Sequence, residues 1–162
     1  MSCFLKFCLS ALLILSFFLF VGCKKASASP ADTILSLIAV EKLPAGRLYD
    51  SKAAAYEEYY MPKDLGKSLY AIRGYDELSH VEEYAVYLGS GFDSSFELAV
   101  FLAKDLAAVS EVTDMCRIRA EYLIDAGRIT ENEATVSVRG RTVIFVVGIE
   151  RKEALSLIKS IK

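Results

Sequence analysis

Two apolar segments constrain the fold of this chain more than any other feature of its sequence. Residues 96–103 and 142–149 are apolar at nearly every position, and Glu97 is the only charged residue in either segment. Runs of this length, with apolar side chains at consecutive positions, are typical of strands that are buried on both faces. We therefore expect both segments to form central strands of a sheet.

Two other segments alternate in polarity, as strands with two different faces do. Residues 82–88 place Tyr84, Val86 and Leu88 on one side, and residues 134–138 alternate small polar with apolar side chains. Between 134–138 and the last strand, Arg139-Gly140 reads as a two-residue hairpin turn. With the four strands numbered in chain order, their predicted order across the sheet is 1-2-4-3. Neighbouring strands are predicted to pair antiparallel, with the third strand at an edge.

Helical periodicity and end signals predict the remaining elements. Helices are expected over residues 30–40, 52–60, 105–126 and 153–161, with a further helical turn within 63–72. The faces expected to point inward are Ile34, Leu35 and Ile38 in the first helix, Leu106, Val109, Thr113, Cys116, Ala120 and Leu123 in the third, and Leu155 and Ile158 in the last. The predicted class is α+β: a four-stranded antiparallel sheet from two strand-strand-helix units, with additional N-terminal helices. The two later helices are expected to cover one face, with the N-terminal helices on the other.

The N-terminal segment resembles a bacterial lipoprotein signal peptide. A basic Lys6 is followed by an apolar run at 7–21 and then by Gly22-Cys23, with two lysines directly after the cysteine. The resemblance implies a signal over 1–22, lipidation of Cys23, a tether over 23–30 and a single domain over 31–162. An uncleaved anchor helix over 7–21 is the open alternative. Either one predicts a protein held at the cell membrane on its extracytoplasmic side.

Composition limits the classes of partner and the way the domain is stabilised. Residues 23–162 carry 18 basic and 21 acidic side chains, because Lys6 is the only charged residue before them. A nearly balanced charge gives no basic surface, so nucleic acid is not an expected partner. Only Cys116 would remain as a free thiol after processing and lipidation, and its apolar helical setting predicts a buried small residue rather than a reactive one.

Candidate chemistry is sparse. His80 is the only histidine, which is too few for a metal site, and neither a nucleophile motif nor a cofactor motif is present. Glu97, in an apolar strand, must be paired with a basic side chain, face water or face a ligand. Seven of the nine tyrosines lie between residues 56 and 87; they either pack the N-terminal helices onto the sheet or, with Tyr84, Tyr87 and Glu97, present a ligand surface.

Three stretches resemble a family of small lipoproteins of Gram-positive bacteria. They are Val81–Tyr87, Phe96–Asp105 and the hairpin Val138–Arg141, within a similarity that runs from about residue 31 to 159. The family is catalogued as domain of unknown function forty-three fifty-eight. Leu69–Ile72 is similar to its Tyr-Gly-Ile stretch, although Ala71 stands at the glycine. The resemblance implies a lipoprotein and this fold, and it implies no activity or ligand.

Three functional hypotheses follow. The first is a non-enzymatic module that binds an envelope protein or glycan while its lipid holds it at the membrane, without a cofactor or a metal. The second is a small envelope hydrolase that uses Glu97 or His80. The third, a solute-binding lipoprotein of a transporter, is disfavoured because residues 23–162 leave no room for two lobes.

Overall fold

Five strands and three α-helices alternate along the part of the chain that the structure, a computed structural model, describes: residues 28–51, 69–70, 78–91 and 95–161. In chain order the elements are α1 Pro30–Ile38, β1 Gly46–Asp50, β2 Val81–Gly89, β3 Glu97–Ala103, α2 Ala108–Asp125, a short 3-10 helix Glu131–Glu133, β4 Ala134–Arg139, β5 Thr142–Val147 and α3 Arg151–Ser160. The α+β class is therefore confirmed.

A single antiparallel sheet has the strand order β1-β2-β3-β5-β4. The four predicted strands keep their expected order, with β3 and β5 central and β4 at an edge. The predicted number of four strands is wrong, because residues 46–50, for which no strand was predicted, form β1. This strand pairs along β2 from Gly46 opposite Gly89 to Asp50 opposite Ala85, and it covers what would otherwise be an open sheet edge.

The two faces of the sheet are covered by different helices. On one face, Phe101 and Phe145 pack with Val112 and Met115 of α2. On the other face, apolar side chains of the sheet pack with those of α1 and α3, among them Ile34, Leu37, Leu98, Val100, Ile144, Val146, Leu157 and Ile158. The prediction that the two later helices share a face is wrong. Because β5 is apolar on both faces, its sequence accepts a helix equally well on either side.

The inward faces of α1 and α3 differ from those predicted. In α1, Ile34 and Leu37 are buried, whereas Leu35 and Ile38 are 49% and 37% exposed. In α3, Ile158 is buried as predicted, but Leu155 is exposed, and Ala154 and Leu157 are buried in its place. In both helices the predicted stripe is rotated by about one residue, which corresponds to roughly 100° around a helix of 3.6 residues per turn.

Helix α2 begins later than predicted. The carboxylate of Asp105 accepts a hydrogen bond from the Ala108 N–H at 2.8 Å, which satisfies a donor of the first turn. Leu106 therefore precedes the helix and is 72% exposed, contrary to its predicted inward position. Cys116 and Ala120 are buried as predicted, and Gly127 directly follows the C-cap residue Ala126.

Ser29 caps α1 as its sequence predicts. Its hydroxyl oxygen accepts a hydrogen bond from the Asp32 N–H at 3.1 Å, and Pro30 occupies the first helical position. The Ser29 side chain thus accepts a hydrogen bond from an N–H of the first turn, and proline at the first position has no N–H that needs a partner. Helix α1 can therefore begin directly after the predicted tether.

The β4–β5 hairpin uses two arginines to hold neighbouring elements. Arg139 pairs with Thr142 in the sheet, so the two loop residues are Gly140-Arg141 and not the predicted Arg139-Gly140. The Arg139 guanidinium donates to the carbonyls of Ile158 and Ile161 at the end of α3. Arg141 Nη1 donates to the carbonyls that follow β3 and to Glu82 Oε2 at 2.6 Å, which ties the hairpin to β2.

Several sequence expectations lie outside the described residues. They are the signal segment 1–22 with Cys23, the helix at 52–60, Tyr56, Tyr59, Tyr60 and Tyr75, and the helical turn within 63–72 apart from Leu69 and Tyr70, which are helical. Within the described ranges, no helix combines the length and apolar character needed to cross a bilayer. Cys116 is a buried free thiol.

We predict that Gly148 is more sensitive to replacement than Gly140. Its φ is +80°, and an added Cβ would lie 2.5 Å from the backbone carbonyl of Ser95. Gly140 also has a positive φ, of +58°, but open space surrounds its Cα. Gly140→Ala should cost about 1–2 kcal/mol of unfolding free energy through backbone strain alone. Gly148→Ala should cost about 1–3 kcal/mol more, because backbone atoms must move.

Urea denaturation of the full chain in detergent measures the free energy of unfolding of wild type and of both variants. Equal losses of stability would contradict the close packing of Gly148 against residues 95–96.

Candidate functional site

Glu97 is the most unusual residue of the described core. It opens the central strand β3 on the face covered by α2, and only 3% of its surface is exposed. A buried carboxylate is costly unless it is paired and hydrogen-bonded. Arg119 Nη2 donates to Oε2 at 2.9 Å, and the Tyr70 hydroxyl donates to Oε1. Of the alternatives that the sequence left open, pairing with a basic side chain is the one observed.

Arg119 reaches Glu97 from the inward side of α2, and its side chain is only 10% exposed. The guanidinium carbon lies 5.9 Å from the ring centroids of both Tyr70 and Tyr122, within the range of cation–π attraction. Its Nε is buried and has no hydrogen-bond partner among the residues that the structure describes. An unmet buried donor costs about 1–3 kcal/mol, so Arg119 holds unused binding capacity.

The sequence analysis did not identify Arg119. One signal was present: Arg119 lies three residues after Cys116 and directly before Ala120, both of which belong to the predicted inward stripe. A cation at the border of such a stripe, in a chain with an acid in a central strand, is a candidate partner for that acid.

Tyr70 completes the polar cluster that we call the Tyr70–Glu97–Arg119 cluster. Its ring packs edge-on against Phe101 and Phe145, at centroid distances of 4.9 and 6.3 Å. Burial raises the pKa of its hydroxyl well above the ordinary tyrosine value, and the negative charge of Glu97 raises the pKa further. The hydroxyl therefore stays protonated and available as a donor to the carboxylate.

The same environment keeps the Cys116 thiol inert. Burial first, and then the charge of Glu97, raise the pKa of this thiol well above its ordinary value. Because the thiolate is the reactive form of cysteine, Cys116 is a packed small residue at neutral pH. This confirms its predicted burial.

A cavity of about 190 Å³ adjoins the Tyr70–Glu97–Arg119 cluster. It lies where β2 ends and β3 begins, beside the C-terminal half of α2. Its lining residues are Leu69, Leu88, Gly89, Ser95, Phe96, Glu97, Arg119, Leu123 and Arg128. Glu97 and Arg119 thus belong both to the buried ion pair and to the wall of an open space that is otherwise largely apolar.

The structure does not bring Tyr84 and Tyr87 to Glu97. Tyr84 is buried under α2 with its ring 6.2 Å from that of Phe101, four residues along β2 from the partner of Glu97. Tyr87 faces the opposite side of the sheet, where its hydroxyl donates to the Pro44 carbonyl at 2.5 Å. These tyrosines pack the sheet, and the three residues do not share one surface.

His80 lies far from Glu97. It precedes β2, and its carbonyl accepts a hydrogen bond from the Lys104 N–H directly after β3. Glu97 is at the other end of β3, roughly 23 Å away at about 3.3 Å per residue. Across the described ranges, no group of three or more His, Cys, Asp or Glu side chains is arranged to hold a metal ion.

Comparison with known proteins provides no relative for this chain. No family model, no curated protein and no solved structure matches it. The resemblance to domain of unknown function forty-three fifty-eight therefore stays a prediction.

We predict that the buried tyrosine makes the protein sensitive to alkali. An unfolded chain loses the tyrosine proton near pH 10, whereas the folded protein retains it on Tyr70. Above that pH the unfolded state binds fewer protons, so the free energy of unfolding falls by up to about 1.4 kcal/mol per pH unit for one such group. Tyr70→Phe should flatten this decline above pH 10, although it lowers stability at neutral pH.

Denaturant unfolding at a series of pH values tests this prediction. Cys116→Ala should instead remove the part of the decline that begins near pH 8.5, the ordinary value for a thiol. An unchanged slope above pH 10 in Tyr70→Phe would show that the Tyr70 hydroxyl is not held protonated by the fold.

Proposed function

We propose that this protein is an extracytoplasmic lipoprotein of the cell membrane, tethered through lipid on Cys23. Support comes from the apolar run at 7–21, from Gly22-Cys23 and from the lysines that follow. Six residues separate Cys23 from α1, and they reach at most about 20 Å. The domain over residues 31–162 would therefore lie close to the membrane surface. Membership of domain of unknown function forty-three fifty-eight is part of the same proposal.

We further propose that the domain is a non-enzymatic module that binds an envelope component. The observation that carries this is the Tyr70–Glu97–Arg119 cluster beside the cavity. Glu97 accepts hydrogen bonds on both carboxylate oxygens, from Tyr70 and from Arg119. A general base must bring an oxygen within hydrogen-bond reach of a substrate proton, and both oxygens of Glu97 are directed at donors of the protein. A carboxylate fixed in this way instead orients Arg119 in the cavity wall.

The hydrolase alternative finds less support in the geometry. Glu97 is held by its partners, and His80, the other candidate, lies at the opposite end of β3 from the cavity. The partner is proposed to be an envelope protein or glycan. Nucleic acid is not proposed, because acidic side chains outnumber basic ones.

Lipid attachment is tested by labelling cells with radioactive palmitate. Wild type should incorporate label and stay with membranes, and Cys23→Ala should lose both. Cys116→Ala is the matched control, because that thiol is buried and its loss should leave the label unchanged. Unlabelled protein of full length, membrane-bound in both wild type and Cys23→Ala, would mean that residues 7–21 act as an uncleaved anchor.

Binding is tested by capture with the full chain from solubilised envelopes, together with glycan-binding assays. A specific partner should be retained by Arg117→Lys, whose side chain is exposed and paired with Asp114, and weakened by Arg119→Lys. Reproducible absence of any partner or glycan would contradict the binding module. Hydrolytic activity of the purified chain that Glu97→Gln abolishes would favour the hydrolase.

A further inference from the structure

We propose that the cavity beside Glu97 takes a ligand bearing a single carboxylate, which Arg119 and Arg128 bind. This names the ligand class of the binding function proposed above and rests on that function. The ligand would place its carboxylate against the two guanidinium groups and its aliphatic part against the apolar wall.

The hydrogen-bonding capacity of Arg119 is the first argument. A guanidinium group has five N–H donors and accepts no hydrogen bonds. Glu97 takes a bond from Nη2, and its other oxygen is occupied by Tyr70. The buried Nε of Arg119 is left without an acceptor among the described residues. A ligand oxygen in the cavity would supply an acceptor that the described residues do not.

The charge of the cavity wall is the second argument. Glu97 offsets the charge of Arg119, and Arg128 adds a second cation at the exposed rim. Among the described lining residues the net charge is therefore +1, which favours an anion carrying one negative charge. Carboxylates fit this charge and match the planar fork of a guanidinium group, whereas a phosphate dianion would exceed it.

The size and polarity of the cavity are the third argument. Among the described lining residues, three contribute apolar side chains on the α2 face: Leu69, Leu88 and Leu123. The volume of about 190 Å³ is smaller than that of sites for drug-sized ligands, which start at about 300 Å³. The occupant is therefore a short aliphatic acid or the last residue of a peptide, both of which present a carboxylate beside an apolar group.

Calorimetric titration of the full chain in detergent distinguishes a short free acid from the C-terminus of a peptide as the ligand. The probes are butyrate, butyramide, and a short peptide ending in leucine with either a free or an amidated C-terminus. Binding of butyrate but not of butyramide supports a free acid as the ligand. Tighter binding of the free-acid peptide, lost on amidation, supports a peptide terminus. Absence of binding by both acids, or equal binding of acid and amide, overturns the proposal.

Two arginines provide a matched pair of variants. Arg128→Gln removes the cation at the rim and should weaken carboxylate binding about tenfold or more. Arg117→Gln, on the exposed side of α2 and paired with Asp114, should leave the affinity unchanged. Arg119→Lys keeps the charge but removes Nε, and it should weaken binding further. If Arg119→Lys does not fold, the test rests on Arg128→Gln. A carboxylate affinity of Arg128→Gln equal to that of wild type would contradict the proposal.

Failure of this proposal is distinguishable from failure of the proposed function. If no carboxylate binds while capture of an envelope partner persists, the binding module stands and only the ligand class is wrong. If butyrate binds while palmitate labelling and capture both fail, the cavity is a ligand site in a protein with another role.

Discussion

The ion pair between Glu97 and Arg119 is the interaction on which the packing of α2 against the sheet depends. β3 is a central strand, and Glu97 pairs with Leu88 on one side and Val147 on the other. Glu97 is only 3% exposed, so its charge must be compensated mainly by protein groups in the α2 layer. Leaving one buried charge unpaired costs several kcal/mol, which is comparable with the 5–15 kcal/mol that stabilises a typical domain. The register of α2 over the sheet therefore has to place Arg119 above Glu97.

Tyr70 extends this constraint to a third part of the chain. Its hydroxyl donates to the second oxygen of Glu97 and its ring packs against Phe101, so the helical segment 69–70 is held on the α2 face. One carboxylate thus joins β3, α2 and that segment. The opposite face is packed by apolar side chains of α1 and α3. The cavity beside Glu97 lies on the α2 face, where the buried ion pair meets apolar side chains, and binding is proposed for that face on this ground.

The polarity pattern of the sequence predicted the order of four of the five strands. It did not predict the edge strand β1 or which helix covers which face of the sheet. The uniform apolar character of β3 and β5 placed them at the centre, and the polar face of β4 placed it at an edge. β1 was missed because Gly46–Asp50 has only two apolar residues, and its partner β2 begins 31 residues after it ends. The side of the sheet that α3 covers could not be read from β5, which is apolar on both faces. Leu155 and Leu106 were misplaced because an apolar stripe gives a spacing but not the position where a helix begins.

The candidate site, too, could be predicted from the sequence only in part. Burial of a charged residue in an apolar strand requires a partner, so Glu97 could be singled out without knowing the fold. Arg119 and Tyr70 are 22 and 27 residues away in sequence, and only the tertiary arrangement brings them to Glu97. The proposed surface with Tyr84 and Tyr87 failed to form because strand residues of odd separation face opposite sides, and because Tyr84 lies four residues along β2 from Leu88, the partner of Glu97.

A double-mutant cycle between Glu97→Gln and Arg119→Met, measured by denaturant unfolding of the full chain, tests the role of the ion pair most directly. Each single variant should lose about 3–5 kcal/mol, because the partner left behind is buried without compensation. The double variant should lose clearly less than the sum, with a coupling of about 2–3 kcal/mol. The exposed pair Asp114–Arg117 should show a coupling below about 1 kcal/mol in the matching cycle. Additive losses for Glu97 and Arg119, within about 0.5 kcal/mol, would contradict a packing that depends on their contact.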